Sequence, residues 1–267
     1  MEKIGFIGIG NMGGTLAKIA IRSYGGQNVI VSSRTMEKAR QFADENGCVA
    51  VRNGSLAERA AMIFLGVKPQ KMTALFEELA PVLSSRYDRF VLVTMAAGLT
   101  CERIAQMAGG DYPVIRIMPN TPALVGQGVI PYCGNEKVTQ EDYALLERAL
   151  SGAGLVTPLS ETMIDAASAL SGCGPAFVYI FIEALADAAV SCGLTRGRAL
   201  EFAAQTVLGA GKMVLETGRH PGELKDAVCS PAGSTIAGIR ALEDGGFRSV
   251  AQSAVIASFH RAKELGK

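Results

Sequence analysis

Short apolar runs alternate with stretches of helical period along the first 158 residues. Lys3–Gly8, Asn28–Ser32, Ala61–Val67, Arg89–Met95 and Pro113–Met118 predict strands. Their nearly unbroken hydrophobicity fits a parallel sheet covered on both faces. Between them, Met12–Ser23, Met36–Asn46 and Lys71–Leu83 predict helices. Ser55 with Glu58 has capping-box spacing and predicts a further helix start, with Thr139 and Asp142 as an acidic counterpart. This alternation predicts a doubly wound α/β sheet with right-handed crossovers.

After Thr157-Pro158 the pattern changes. From Glu161 onward the chain keeps a helical period, rich in Ala, Gly, Leu and Met, and no strand is predicted. Thr195–Thr217 and Phe247–Leu265 predict long helices. The expected division is an α/β domain over residues 1–159 and an all-α domain over residues 160–267. Small side chains let helices approach closely, so these helices are expected to pack into a second subunit. A compact monomeric bundle is the alternative.

Composition narrows the function. With 49% hydrophobic residues in a chain of 267, intrinsic disorder is excluded. The balance of 26 basic against 25 acidic side chains gives no field that attracts nucleic acid. The most apolar stretch, Ala176–Val190, is interrupted by Glu183 and Asp187 and is expected to be a buried helix rather than a membrane span. Met1-Glu2-Lys3 leads straight into an apolar strand without the features of a secretory signal, so a cytoplasmic location is expected. The six cysteines (48, 101, 133, 173, 192 and 229) form no CxxC pair, and the histidines are His220 and His260. Reduced thiols packed as small hydrophobes are expected, and no metal.

Candidate chemistry begins at Gly8-Ile9-Gly10-Asn11-Met12-Gly13, a GxGxxG between a strand and a helix. The first glycine permits the tight turn, the second lets backbone approach a pyrophosphate, and the third lets helix and strand pack closely. The end of the second strand reads Ser32-Ser33-Arg34-Thr35, without the carboxylate that holds a ribose 2′-hydroxyl. An arginine flanked by hydroxyls suits a 2′-phosphate, so NADP(H) is preferred over NAD(H). Further loops at strand ends are Asn53-Gly54, Val67-Lys68-Pro69, Met95–Gly98 and Met118–Pro122. In the helical half, Ser171–Pro175 and Ser230–Thr235 break helices with small and hydroxyl residues, presenting free N–H groups that suit a carboxylate.

The ordered motifs GIGNMG, VKP, MAAG, MPNTP, SGCGPAF and DAVCSPAGSTIAGIRALE closely resemble the pyrroline-5-carboxylate reductases over nearly the whole chain. The resemblance implies a Rossmann-type domain, a helical dimerisation domain, and NADPH-dependent reduction of Δ1-pyrroline-5-carboxylate to L-proline. It assigns Ile9, Asn11, Met12, Ser32, Arg34, Asn53, Val67, Lys68 and Ala97 to the cofactor. Gly8, Gly10 and Gly13 of the turn, Ser33 and Thr35 beside Arg34, and Asn120 of MPNTP complete that set. Glu161, Gly233, Ser234 and Thr235 are assigned to the substrate, with the Thr235 hydroxyl bonded to the ring nitrogen. The other role for Thr235 is a helix N-cap. This chain departs from the usual family residues at Cys173, Ala227 and Ala232. Two rivals share the opening fingerprint: a β-hydroxyacid dehydrogenase using Lys212, and a non-catalytic NADPH sensor. His220, before Pro221-Gly222, is expected to cap a helix entry.

Overall fold

A computed structural model describes residues 2–265. The chain runs β1 (Lys3–Ile7), α1 (Asn11–Tyr24), β2 (Val29–Ser32), α2 (Met36–Asn46), β3 (Val49–Ala50) and α3 (Asn53–Arg59). It continues through β4 (Ala60–Leu65), α4 (Met72–Ser84), β5 (Val91–Thr94), α5 (Cys101–Ala108), β6 (Val114–Ile117) and β7 (Gly128–Gly134). Next come α6 (Gln140–Ala149), β8 (Gly154–Pro158), α7 (Glu161–Ala167) and α8 (Gly174–Ser191). The remaining helices are α9 (Arg196–Thr217), α10 (Pro221–Ala227), α11 (Ser234–Asp244) and α12 (Phe247–Leu265).

Among the described residues the strands form one sheet in the order β3-β2-β1-β4-β5-β6-β7-β8. All neighbours are parallel except β6 and β7. Successive side chains of a strand point to opposite faces, so each central strand feeds two cores. Met62 and Phe64 join Ile4, Phe6 and Leu16 on one face. Ile63 and Leu65 join Leu56, Phe76 and Leu92 on the other. Phe6 and Phe64 stack at 4.4 Å between ring centres, locking β1 against β4. Strand order reverses between β1 and β4, which places a ligand crevice beyond their carboxyl ends.

Three strands escape the hydrophobic pattern. β3 has two residues, and the others, GVIPYCG and GLVTP, carry glycine and proline that read as punctuation. A short 3-10 turn, Thr121–Val125, links β6 to β7 without a crossover helix, so β7 returns antiparallel. The Ser55/Glu58 box does not form. α3 starts earlier, with Arg52 as its N-cap and no side-chain cap bond, leaving Ser55 inside the helix. The Thr139/Asp142 box is present in both directions.

The chain divides into two compact units, one of residues 2–172 with 259–265, the other Cys173–Ser258. Grouped by contacts, the chain thus parts after Gly172, with α7 on the side of the α/β unit. Ile164 and Ala169 are buried. Arg116 Nη2 bonds Asp165 at 2.6 Å and Asn120 Nδ2 donates to the Ser171 carbonyl at 2.8 Å, tying this segment to the α/β unit.

In the second unit the buried core is small: Ala186, Ala199 and Ala203 with Ile182, Leu185, Ala189 and Val190 packed around them. Tyr179, Ile180, Phe202, Leu208, Leu215 and Val250 are exposed. The buried helix expected over Ala176–Val190 is corrected: Ala186 is the buried residue of α8 among those described. The continuous helical run Glu161–Ser191 is also long and apolar enough to cross a membrane, despite Glu183 and Asp187.

Candidate active site

β1 enters α1 through Gly8, whose φ of +92° is open to glycine without strain. A Cβ on Gly13 would lie 2.0 Å from the Gly8 carbonyl oxygen, so helix and strand approach only with glycine there. A Cβ on Gly10 would meet nothing within 4 Å, leaving open space above the turn. α1 begins with no side-chain cap bond and no acidic residue in its first turn. Its N–H groups are therefore left for an anion.

That turn forms one wall of a cleft of about 800 Å³, whose other walls come from Ser32–Arg34, Arg52-Asn53 and Val67-Lys68. Ser32 Oγ donates to Asn53 Oδ1 at 2.7 Å, and Asn53 Nδ2 donates to Glu78 Oε2 at 2.9 Å. These bonds fix the loops after β2 and β3 against α4. Arg34, Lys38, Arg52, Lys68 and Lys71 line the cleft, against Glu78 as the acid among its lining residues. Lys38 in α2, Arg52 before α3 and Lys71 before α4 were missed in the sequence because such cations look like ordinary solvated charges. A glycine cradle followed by a cationic end fits a dinucleotide carrying an additional phosphate.

Not every residue assigned to the cofactor lines this cleft. Gly8, Ile9, Gly10, Ser32, Ser33, Arg34, Asn53, Val67 and Lys68 do; Asn11, Met12, Gly13, Thr35, Ala97 and Asn120 do not. Gly13 shapes the turn, and Met12 packs on the core. The Asn120 side chain is buried, accepting from the Val129 N–H at 2.9 Å and donating to Ser171, so its amide is committed to structure.

Glu161 opens α7 and accepts the Cys101 N–H at 2.8 Å, satisfying the first donor of α5 beside the loop that holds Ala97. Arg116 Nη1 lies 3.9 Å from this carboxylate. Arg116 is buried inside β6, and its Nε has no partner. It sits within the apolar run predicted as a strand, which hid it.

In the second unit, Gly233 is the N-cap of α11 and makes no side-chain bond, so Thr235 lies in the helix's first turn and is not the cap. Thr235 and Ser234 are exposed. His220 does cap α10, its Nδ1 accepting the Gly222 N–H at 3.1 Å. Lys212 stands exposed on α9, paired with Glu216 at 3.4 Å, as on a solvated helix face.

The whole chain is similar to known reductases. It is 41% identical over 271 residues to a pyrroline-5-carboxylate reductase of Escherichia coli, covering 100% of this chain and 99% of the relative. This chain belongs to the pyrroline-5-carboxylate reductase family. A reductase of that name from Glycine max is also 41% identical, over 98% of this chain and 95% of its own. The family model for pyrroline-5-carboxylate reductase dimerisation matches residues 161–265, and one for NADP oxidoreductase, coenzyme F420-dependent, matches residues 3–98. Among solved structures, the reductase of Coxiella burnetii superposes with a TM-score of 0.91 at 35% identity, covering 100% of this chain and 99% of its own. That of Plasmodium falciparum, with NADP bound, gives 0.87 at 31%, covering 100% and 98%.

Within this family frame one departure acquires a cost. Ala232 has φ +55°, the one positive value among described non-glycine residues, in the turn entering α11. Ala232→Gly relieves that left-handed strain and is expected to stabilise the fold by about 0.5–1 kcal/mol, net of the extra freedom of the unfolded chain. Thermal unfolding checks this: Tm should rise by about 2 °C, and a lower Tm would contradict it.

Proposed function

We propose that this chain reduces Δ1-pyrroline-5-carboxylate to L-proline with NADPH, acting as a soluble cytoplasmic homodimer. The observation that carries the reading is the cationic, carboxylate-poor cleft beside the glycine turn, in a chain matched along its whole length to reductases of that name. NAD(H) is the weaker cofactor, because Ser32–Thr35 offers no acid to a free 2′-hydroxyl.

The reduced nicotinamide, when bound, supplies the hydride for the imine carbon. The chain's task is then to position and polarise. The first turn of α11, at Ser234 and Thr235, has no side-chain cap bond and suits the substrate carboxylate, and the Thr235 hydroxyl is assigned to the ring nitrogen. The Gly233 N–H is already donated to the Ser230 carbonyl at 3.0 Å, so Gly233 serves as the N-cap beside the substrate rather than as a free donor. A threonine is far too weak an acid to be the proton reservoir. The imine therefore binds protonated or takes its proton from water. Glu161 either supplies negative charge for that cation or holds the loop before α5 in place, and its bond to the Cys101 N–H supports the second role.

The exposed apolar residues of α8, α9 and α12 and the dimerisation model over residues 161–265 support a second copy as their cover. No observation favours Lys212 chemistry. Purified enzyme with pyrroline-5-carboxylate should oxidise NADPH faster than NADH. Tight NADPH binding without substrate-dependent oxidation would reject the reductase reading in favour of a sensor.

A further inference from the structure

Three groups far apart in sequence converge within the α/β unit. Cys101 opens α5, Cys133 lies on β7 and Glu161 opens α7, with both Sγ atoms and a carboxylate oxygen within 4.8 Å of one another. Both thiols are buried. Cys133 and Glu161 also line a separate cavity of about 350 Å³ with Tyr132, Gln140 and Tyr143, giving small solutes a route to the pair.

We propose that Cys101 and Cys133 form a peroxide-oxidisable dithiol, closing to a reversible disulfide that displaces Glu161 and lowers turnover. The turnover arm rests on the reductase reading; the chemistry of the thiols does not. A divalent cation fits the trio poorly, because the Arg116 guanidinium already faces the same carboxylate.

The surroundings of the two thiols differ. The adjacent Cys101 thiol holds the Cys133 thiol below its usual range, and the Arg116 charge acts in the same sense, against burial and Glu161. Cys101 is pushed up by Cys133, with burial and Glu161 adding to the rise. Cys133 is therefore the attacking thiolate. Its sulfur takes one peroxide oxygen, the O–O bond breaks, and the other oxygen leaves with a proton as water. Cys101 sulfur then attacks the resulting sulfenic acid, the S–O bond breaks, and a second water carries off the Cys101 proton. Two thiols are oxidised, one hydrogen peroxide is reduced to two waters, and an added dithiol reverses the change.

The displacement follows from length. A disulfide brings the sulfurs to about 2 Å, drawing the first turn of α5 towards β7. Glu161 is held by the N–H of that same Cys101, so its bond is strained or lost when the turn moves.

The test treats the full-length enzyme with hydrogen peroxide, alkylates the remaining thiols and maps peptides without reduction. Expected is a Cys101–Cys133 linked peptide lighter by two hydrogens, removed by dithiothreitol. Amide exchange over the first turn of α5 should rise on oxidation, a readout that needs no turnover. Turnover should fall and recover with reduction, while Cys101→Ala, which keeps the N–H to Glu161, should hold its basal rate and lose the response. Full alkylation of both cysteines after peroxide, or a linked peptide with unchanged exchange, would overturn the proposal. Should Cys101→Ala fail to fold, the wild-type mapping and exchange still decide. An enzyme that links these cysteines but never reduces pyrroline-5-carboxylate would sink the reductase reading alone.

Discussion

Thr235→Ala lowers kcat/KM for pyrroline-5-carboxylate by about 10–100-fold, the effect of losing one hydrogen bond to a charged group in the transition state. NADPH binds to the variant as before. Gly233 holds the N-cap, and among the described residues the Thr235 hydroxyl has no partner. Removing it therefore costs no cap, and alanine is the better helix former. A loss of turnover in a variant that melts like the parent can then be traced to chemistry. Steady-state kinetics together with NADPH titration read both quantities. Weaker NADPH binding with unimpaired turnover would remove Thr235 from the substrate.

Arg34→Ala should raise KM for NADPH by about 10-fold and leave that for NADH nearly unchanged. A guanidinium fork suits a 2′-phosphate and would have nothing comparable to hold where that phosphate is missing. Arg34 is exposed, and Lys38, Arg52 and Lys71 line the same cleft, so part of the attraction survives and the loss stays moderate. The ratio between the two cofactors carries the argument. Equal rises for both would mean that Arg34 serves the cleft's shape or its general charge.

The legibility of this fold and site in the sequence was uneven for physical reasons. Strands β1, β2, β4, β5 and β6 announced themselves because burial on both faces demands continuous hydrophobicity. β7 and β8 did not, since Pro131 and the flanking glycines imitate loop punctuation. The phosphate turn was readable because Gly8 and Gly13 answer separate steric demands and Gly10 leaves open space above the turn. The other cations of the cleft, Lys38, Arg52 and Lys71, look like any surface charge until folding brings them to one rim. Arg116 and the Cys101–Cys133–Glu161 trio lay beyond reach, because strand register rather than sequence spacing assembles them. At Asn120 a polar residue in a strand-end loop invites a ligand role, and what folding adds is that its amide ties β7 to the segment after α7.

Hydride should pass from the nicotinamide to the imine carbon of pyrroline-5-carboxylate. NADPH deuterated at the transferable C4 position tests it directly, by mass spectrometry and NMR of the product. Expected is one proline per NADPH consumed, with deuterium on the ring methylene next to nitrogen. Proline carrying only solvent hydrogen at that carbon, or NADPH consumed without proline, would contradict it.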